Sequence, residues 1–272
     1  MEKQKKSIFK GVIIGMLIGI MLSSGCVSNG SVTAKEVIRN VLNVYDGGEI
    51  TSYEISMDGY ITLTTTNSSG TYVVEAPSNA TGVVDIANRK LMREDRMVSP
   101  FYPETESHSL VYIIEDIIYT GVYSGEALTW TNRTIGSMFP ESFPFDEWDM
   151  TSVLELYDGL RNCSDEELLD DDTVEGVECY VLQINPDFEL WAQRYGFEWE
   201  DDETDFDANF IYWVAKDTSY IMKVQQTITM DMSSVYGFPG GTDTIIQEQF
   251  SETIFSDYNS SVTIELPPGV TQ

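Results

Sequence analysis

The sequence predicts an α+β fold: a single large antiparallel β-sheet with about three helices set into its connections. Three observations carry this. Period-two alternation of apolar and polar residues fills most of the chain, and helical spacing appears in only a few short stretches. Gly, Asn, Pro and Asp clusters separate the alternating runs at hairpin distance. Helices do not alternate with strands as βαβ units, and no repeat or linker divides residues 34–272, which read as one domain.

Taken in order, Thr33 and Glu36 form a capping-box pattern ahead of Val37, Ile38, Val41, Leu42 and Tyr45, and Gly47-Gly48 ends that helix. The period then changes to two. Tyr53, Ile55, Met57, Gly59, Ile61 and Leu63 alternate with polar neighbours in one long strand, turned at Asn67–Gly70 and returning from Thr71 to Glu75. Further strands are expected at 82–88, 90–95, 110–114, 117–122 and 127–131. Phe139–Pro144 reads as a loop, 151–160 as a second helix, and Asp170–Asp172 as a solvated turn. A strand at 176–184, a third helix at 188–197 and an acidic loop at 198–207 follow. Strands at 209–215, 220–232 and 242–255 complete the fold before Pro267-Pro268.

Residues 1–33 have a different logic. Lys3, Lys5, Lys6 and Lys10 form a basic segment, and Gly11–Leu22 an apolar run too short to cross a bilayer of ~30 Å comfortably as a helix. Leu22-Ser23-Ser24-Gly25-Cys26 resembles the lipobox of exported lipoproteins, with Ser23 where most have Leu. The expected organisation is a lipoprotein-type signal over 1–25, a lipidated tether over 26–33 and one domain over 34–272. An uncleaved anchor and plain secretion are the alternatives, and all three place the domain outside the cytoplasm.

The charge is extreme. Lys and Arg number 15 against 45 Asp and Glu, a net charge of −30, which becomes −33 once 1–25 is removed. Such a surface repels phosphate backbones and argues against nucleic-acid binding. It also repels anionic headgroups, so membrane contact is expected through the anchor alone. Apolar content of 42% with 12% aromatics is that of a folded chain.

Cys163 and Cys179 remain as a pair in an oxidising compartment, where a bridge would stabilise by about 3 kcal/mol; two reduced thiols are the other reading. Sequons at Asn67, Asn79, Asn132, Asn162 and Asn259 are possible glycosylation sites, and a lipobox with several sequons would suit an archaeal cell surface.

Several phrases, in order along the chain, resemble the LolA/LolB-like superfamily of lipoprotein carriers and lipid-binding lipoproteins. They are the helix Ala34–Tyr45 followed by the strand Ser52–Thr64, and Tyr112–Tyr119 leading to Trp130. Glu175–Pro186, Tyr212–Val224 and the exit Phe255–Pro268 follow. The resemblance implies a sheet curved into a half-barrel, its concave side covered by helices over an apolar cavity. No motif locates the Arg that some carriers place in that cavity. Tyr53, Ile55, Met57 and Ile61 on one strand, with Met222, Val224, Ile228 and Met230 on another, are the candidate cavity lining. Flexible Met side chains suit variable apolar cargo, though they serve equally as core filler.

Catalysis finds little support, and no cofactor is expected. His108 is the single histidine, and neither a Gly-x-Ser-x-Gly elbow nor a nucleotide-binding glycine loop occurs. No metal site is expected: Asp205-Phe-Asp207-Ala-Asn209 starts like a calcium loop, but Phe210 replaces the turn Gly and Lys216 the bidentate Glu. The chain therefore reads as an anchored lipoprotein that binds a lipid or other apolar ligand, with a cargo-free structural or protein-interaction lipoprotein as the alternative. Replacing Cys26 by Ala should move the protein from membranes to the soluble fraction. Unchanged retention would identify an uncleaved helix.

Overall fold

The computed structural model describes residues 32–100, 105–135, 154–187, 206–231, 233, 244–267 and 270. The elements lie in one compact unit, Ala34–Gln272. Helix α1 (Ala34–Asp46) has the amphipathic spacing expected of it; Val37, Ile38 and Val41 are buried, each worth roughly 1.5–3 kcal/mol. It ends where Gly48 takes φ +70°, a conformation glycine adopts without strain.

Two meanders follow. β1 (Ser52–Asn67), β2 (Gly70–Asp85), β3 (Lys90–Val98), β4 (Glu106–Ile114), β5 (Ile117–Ser124) and β6 (Ala127–Thr134) step outward from the centre of the sheet. Helix α2 (Leu154–Arg161) precedes β7 (Cys163–Leu168), β8 (Asp172–Val174), β9 (Val177–Pro186), β10 (Phe206–Ala215), β11 (Ile221–Asp231) and β12 (Thr244–Ser256). These walk back from the opposite edge, giving the order β6-β5-β4-β3-β2-β1-β12-β11-β10-β9-β7, with β8 also on β9. β7 and β8 pair with successive halves of β9 and act as one interrupted edge strand. All pairings are antiparallel, and β1 joins β12 from Glu54↔Ser256 to Thr66↔Thr244. The sheet is open, and twist across so many strands is consistent with a curved half-barrel.

The architecture is mostly β rather than α+β, with α1 and α2 the helices among the described residues. The expected third helix at 188–197 and the loop Phe139–Pro144 lie outside those residues. Two expectations for strands change. The sequence suggests a break around Pro77, yet β2 runs unbroken from Gly70 to Asp85. Its pairing with β3 spans only Ser78–Asp85, so Pro77 sits where no ladder bond to β3 is required of it. The acidic stretch Cys163–Leu168, for which the sequence predicts no element, forms β7, and Asp172, the last residue of the expected turn Asp170–Asp172, opens β8. An edge strand can be acidic because its outer side meets water.

The faces are covered differently. On one, α2 crosses β9 and β10 so closely that a Cβ on Gly159 would lie 3.1 Å from the Tyr212 hydroxyl and 3.6 Å from Phe210. Tyr45 of α1 stacks on Tyr157 of α2 at 4.0 Å between ring centres. We call this the helix face. On the other, the C-terminal tail places Ile264, Leu266 and Val270 against Ile114, Tyr119, Tyr112 and Trp130. Trp130 lies over Gly121, where any Cβ would meet its ring at 2.8 Å. The tail is fastened to the start of β1: the Ser52 hydroxyl donates to Ser260 O at 2.7 Å, and the Thr51 N–H donates to Asn259 Oδ1 at 2.7 Å. A polar cluster binds the same face at the opposite side of the sheet. Lys223 lies 3.8 Å over the Trp213 ring and pairs with Glu252 at 3.3 Å, which also accepts from Gln225 at 2.6 Å.

The expected Cys163–Cys179 disulfide is absent, and register explains why. Cys163 pairs opposite Pro186 and Cys179 opposite Asp172. Seven residues of β9 separate those positions, about 23 Å of strand, where a disulfide needs Cα atoms within about 7 Å. Burial pushes both thiols above the ordinary cysteine value. Both should react slowly with a thiol reagent in the native protein and fully after unfolding without reductant, and reductant should leave the melting temperature unchanged. A fall of several degrees would restore the bridge.

The bond from Gln225 and the charge of Lys223 hold Glu252 below its ordinary value of 4.5. A carboxylate depressed in this way contributes stability above that value and loses it as pH falls through the folded one. Glu252→Gln should cost about 1 kcal/mol or less at pH 7. The gap between the two melting curves should close in acid; a constant gap would place the loss in packing instead.

Candidate functional site

On the helix face β1 presents Tyr53, Ile55, Met57, Gly59, Ile61 and Leu63. Opposite Ile55–Ile61 on β2 stand Gly82, Ala80, Ser78 and Ala76, all small. On the β12 side Met57 and Gly59 face Thr253 and Ser251. By side-chain size a row of longer apolar groups on β1 borders residues that rise little above the backbone, a step we call the trough, and its floor residues Ala76 and Ala80 are themselves buried. Gly59 is fixed by the seam, since a Cβ there would lie 2.4 Å from Phe250 O.

Burial divides the trough. At one end Tyr53, Val84, Leu91, Ile113, Ile118 and Phe255 are buried, and at the other Leu63, Ala76 and Ile245 close it. Between them Ile55, Met57 and Ile61 are half-buried. Toward β3–β5 the same face opens, with Met97 41% and Val122 48% exposed. One ion pair stands on this wall: Arg93 Nε donates to Asp95 Oδ2 at 3.0 Å, and their register partners on β2 are Gly82 and Ala80. A Cβ on Gly82 would approach Arg93 Cγ to 3.3 Å, so the glycine makes room for the arginine stem. Sequence reading missed Arg93, because its only local sign is parity with Leu91 on β3.

The expected lining separates into three groups. Ile55, Met57, Ile61, Ile228 and Met230 are half-buried and share the helix face by register. Tyr53 and Val224 share that face but are 2% and 1% exposed. Tyr53 packs against Phe255 and Tyr258 at about 5.8 and 5.9 Å, and Val224 is paired with Tyr212; both are core. Met222 is corrected. An irregularity in the β10–β11 register between Trp213 and Val214 breaks strand parity, and Met222 packs on the opposite side against Val174, Cys179, Val181 and Trp213.

Other expected features resolve away from the trough. His108 Nε2 lies 2.8 Å from Glu94 Oε1, and its ring stacks on Tyr123 at 4.0 Å on the tail face. The hydrogen bond from Arg96, joined by His108, holds the Glu94 carboxyl below its ordinary range. Asp207, expected at the end of the acidic loop, belongs with Asn209 to strand β10, and among the described residues no group of three or more His, Cys, Asp or Glu is placed to hold a metal ion. Of the sequons, Asn67, in the β1–β2 turn, accepts from Ser69 N–H at 2.8 Å, whereas Asn79 and Asn132 are exposed on strands and Asn162 is half-buried beside α2. Asn259 is committed to structure, accepting from Thr51 and donating through Nδ2 to Tyr220 at 2.9 Å, which a glycan on Nδ2 would disturb.

Among the described residues two cavities lie outside the trough, one polar and one lined by polar and apolar groups alike, Val177 and Met222 among them. One of about 390 Å³ is bordered by Asp165, Glu166, Glu167 and Asn185. The other, of about 520 Å³, is bordered by Glu175, Asp217, Tyr220 and Asp257, among others. Among the described residues no helix is long and apolar enough to cross a membrane.

No family model and no curated protein matches the chain. Solved structures similar to it include LprF from Mycobacterium bovis (10% identity, 88% of this chain and 100% of that one, TM-score 0.48). The lipoprotein LppX from Mycobacterium tuberculosis follows (12% identity, 84% and 98%, 0.42). A candidate outer membrane lipoprotein-sorting domain from Vibrio parahaemolyticus also matches (10% identity, 85% and 95%, 0.25). All three scores are below 0.5, so the reading of the site rests on this chain's own residues.

Proposed function

We propose that this chain is an extracytoplasmic lipoprotein, anchored through a lipid on Cys26, that holds a lipid or another apolar ligand on the helix face of a LolA-like half-barrel. The observation that supports it is the β1 trough. Ile55, Met57 and Ile61 remain half-buried beside Gly82, Ala80 and Ala76, between two ends sealed by core. An apolar chain laid there would remove the remaining apolar surface from water at roughly 25 cal/mol per Å². Arg93 and Asp95 would offer the ligand a polar terminus on the same wall. The mechanism is burial without covalent chemistry, and the activity is binding or carrying rather than catalysis.

Native mass spectrometry of the intact protein, with extraction and identification of any bound molecule, tests this. The wild type should carry a bound apolar mass. Met57→Glu and Ile61→Glu, each placing a carboxylate in the trough, should reduce occupancy at least about tenfold, since unpaired burial of a charge costs well over 1.4 kcal/mol. Both variants should still melt cooperatively. A wild type without bound mass that crosslinks in cells to one dominant protein would replace this reading with a cargo-free interaction lipoprotein.

A further inference from the structure

The β1–β2 hairpin is unusual for this chain. From Gly59 to Val74 the sequence contains no Asp, Glu, Lys, Arg or His, in a protein whose net charge is −30. Glu75 then stands as the lone charged residue before Asp85. The part of the hairpin that protrudes is uncharged except for Glu75. β2 pairs with β3 only from Ser78 onward, so Gly70–Pro77 overhangs its neighbour by about 26 Å of strand, supported from behind by β1. Of the large hydrophobic residues left exposed, Tyr72 at 56%, Val73 at 62% and Tyr60 at 39% belong to this hairpin, and Met97 at 41% adjoins the last β2–β3 pair. Tyr72 and Val73 point to opposite faces, so the overhang is apolar on both sides at its end.

We propose that this overhang is a second membrane contact, its tip seated in the interfacial layer of the bilayer to which the chain is tethered. The inference rests on the extracytoplasmic, membrane-anchored reading but not on the trough's ligand. Charge selects the occupant. An acidic body is repelled by an anionic or acidic surface, and this tip, with Glu75 the one charge of the overhang, can approach at a smaller penalty. Tyrosine and valine beside threonine and serine fit the headgroup boundary, where amphipathic rings are favoured. The outer backbone of Thr71–Ala76, which pairs with no strand among the described residues, sets the depth, because N–H and C=O groups without partners are tolerated beside headgroups and water but not in hydrocarbon. The body would then stand on two points, the lipid of Cys26 and this tip, with its acidic surface held away.

The test uses the intact lipidated protein in phosphatidylcholine vesicles containing a nitroxide-labelled lipid. An environment-sensitive fluorophore is placed at Ser69→Cys in the β1–β2 turn or, as control, at Glu126→Cys in the β5–β6 turn, with unlabelled parent protein as the blank for Cys163 and Cys179. Quenching at position 69 should exceed that at 126 by about fivefold. The double variant Tyr72→Asp/Val73→Asp should bring position 69 to the control level, keep a cooperative melt and retain any ligand bound by the trough. Retained ligand in that variant separates this outcome from the ligand reading. Equal quenching at the two positions, or quenching indifferent to the double variant, overturns the proposal. So does protection of position 69 that rises with protein concentration without vesicles, which would mark strand pairing between two copies, or a glycan on Asn67.

Discussion

The pairing of β1 with β12 is the constraint on which the molecule depends. Each meander builds itself from neighbouring hairpins, but neither alone makes the helix face. Only when Glu54–Thr66 is zipped to Thr244–Ser256, across some 190 residues of chain, does one sheet exist. Closing so long a loop is entropically expensive before it gains anything, so this step should govern the folding rate. Gly59 lies in the middle of the seam, and the close approach of Phe250 O leaves no space for a side chain there. The tail strengthens the same joint, with Asn259 and Ser260 tying the exit of β12 to Thr51 and Ser52.

The seam also makes the site. The trough's apolar row comes from β1, its floor of small residues from β2, and its other wall from β12 and β11. Ile61, Gln249 and Ile228 share one transverse row although they are far apart in the chain. Among the described residues the tail face is covered only at its two sides, by Ile264 and Leu266 and by the Trp213 cluster, and Glu54, Ser56, Asp58 and Tyr60 of β1 leave its centre exposed. At β1 one face is thus polar and exposed while the other keeps half-buried apolar groups, and the proposed binding surface rests on that asymmetry.

Charge organises what remains. Acidic residues lie on central strands, such as Glu54 and Asp58 on β1 and Glu248 and Glu252 on β12, and also on both pieces of the β7–β8 edge, where like charges deter edge-to-edge association. The few basic groups are used locally. Lys223 serves Glu252 and Trp213, Arg96 serves Glu94, and Lys216 pairs with Asp171 at 2.6 Å. Against that background the β1–β2 overhang, with Glu75 its one charge, is sparsely charged.

The sequence by itself determined the local elements. α1 followed from 3.6-residue spacing and a glycine stop, and the long β1 strand from strict alternation, because both periods are properties of the backbone. Alternation also placed Ile55, Met57 and Ile61 on one face correctly. It could not place Met222, since an irregularity in the neighbouring pairing breaks parity without a mark in the sequence. Nor could it separate lining from core: Tyr53 and Ile55 look alike in the pattern and differ only in what packs over them. Counting cysteines suggested a bridge that strand register forbids. Pro77 read as a break until the overhang showed that nothing asks it for a hydrogen bond. Tertiary structure decided register, the seam and coverage, because these depend on contacts between distant segments, whereas periodicity records only which way each residue faces along its own strand.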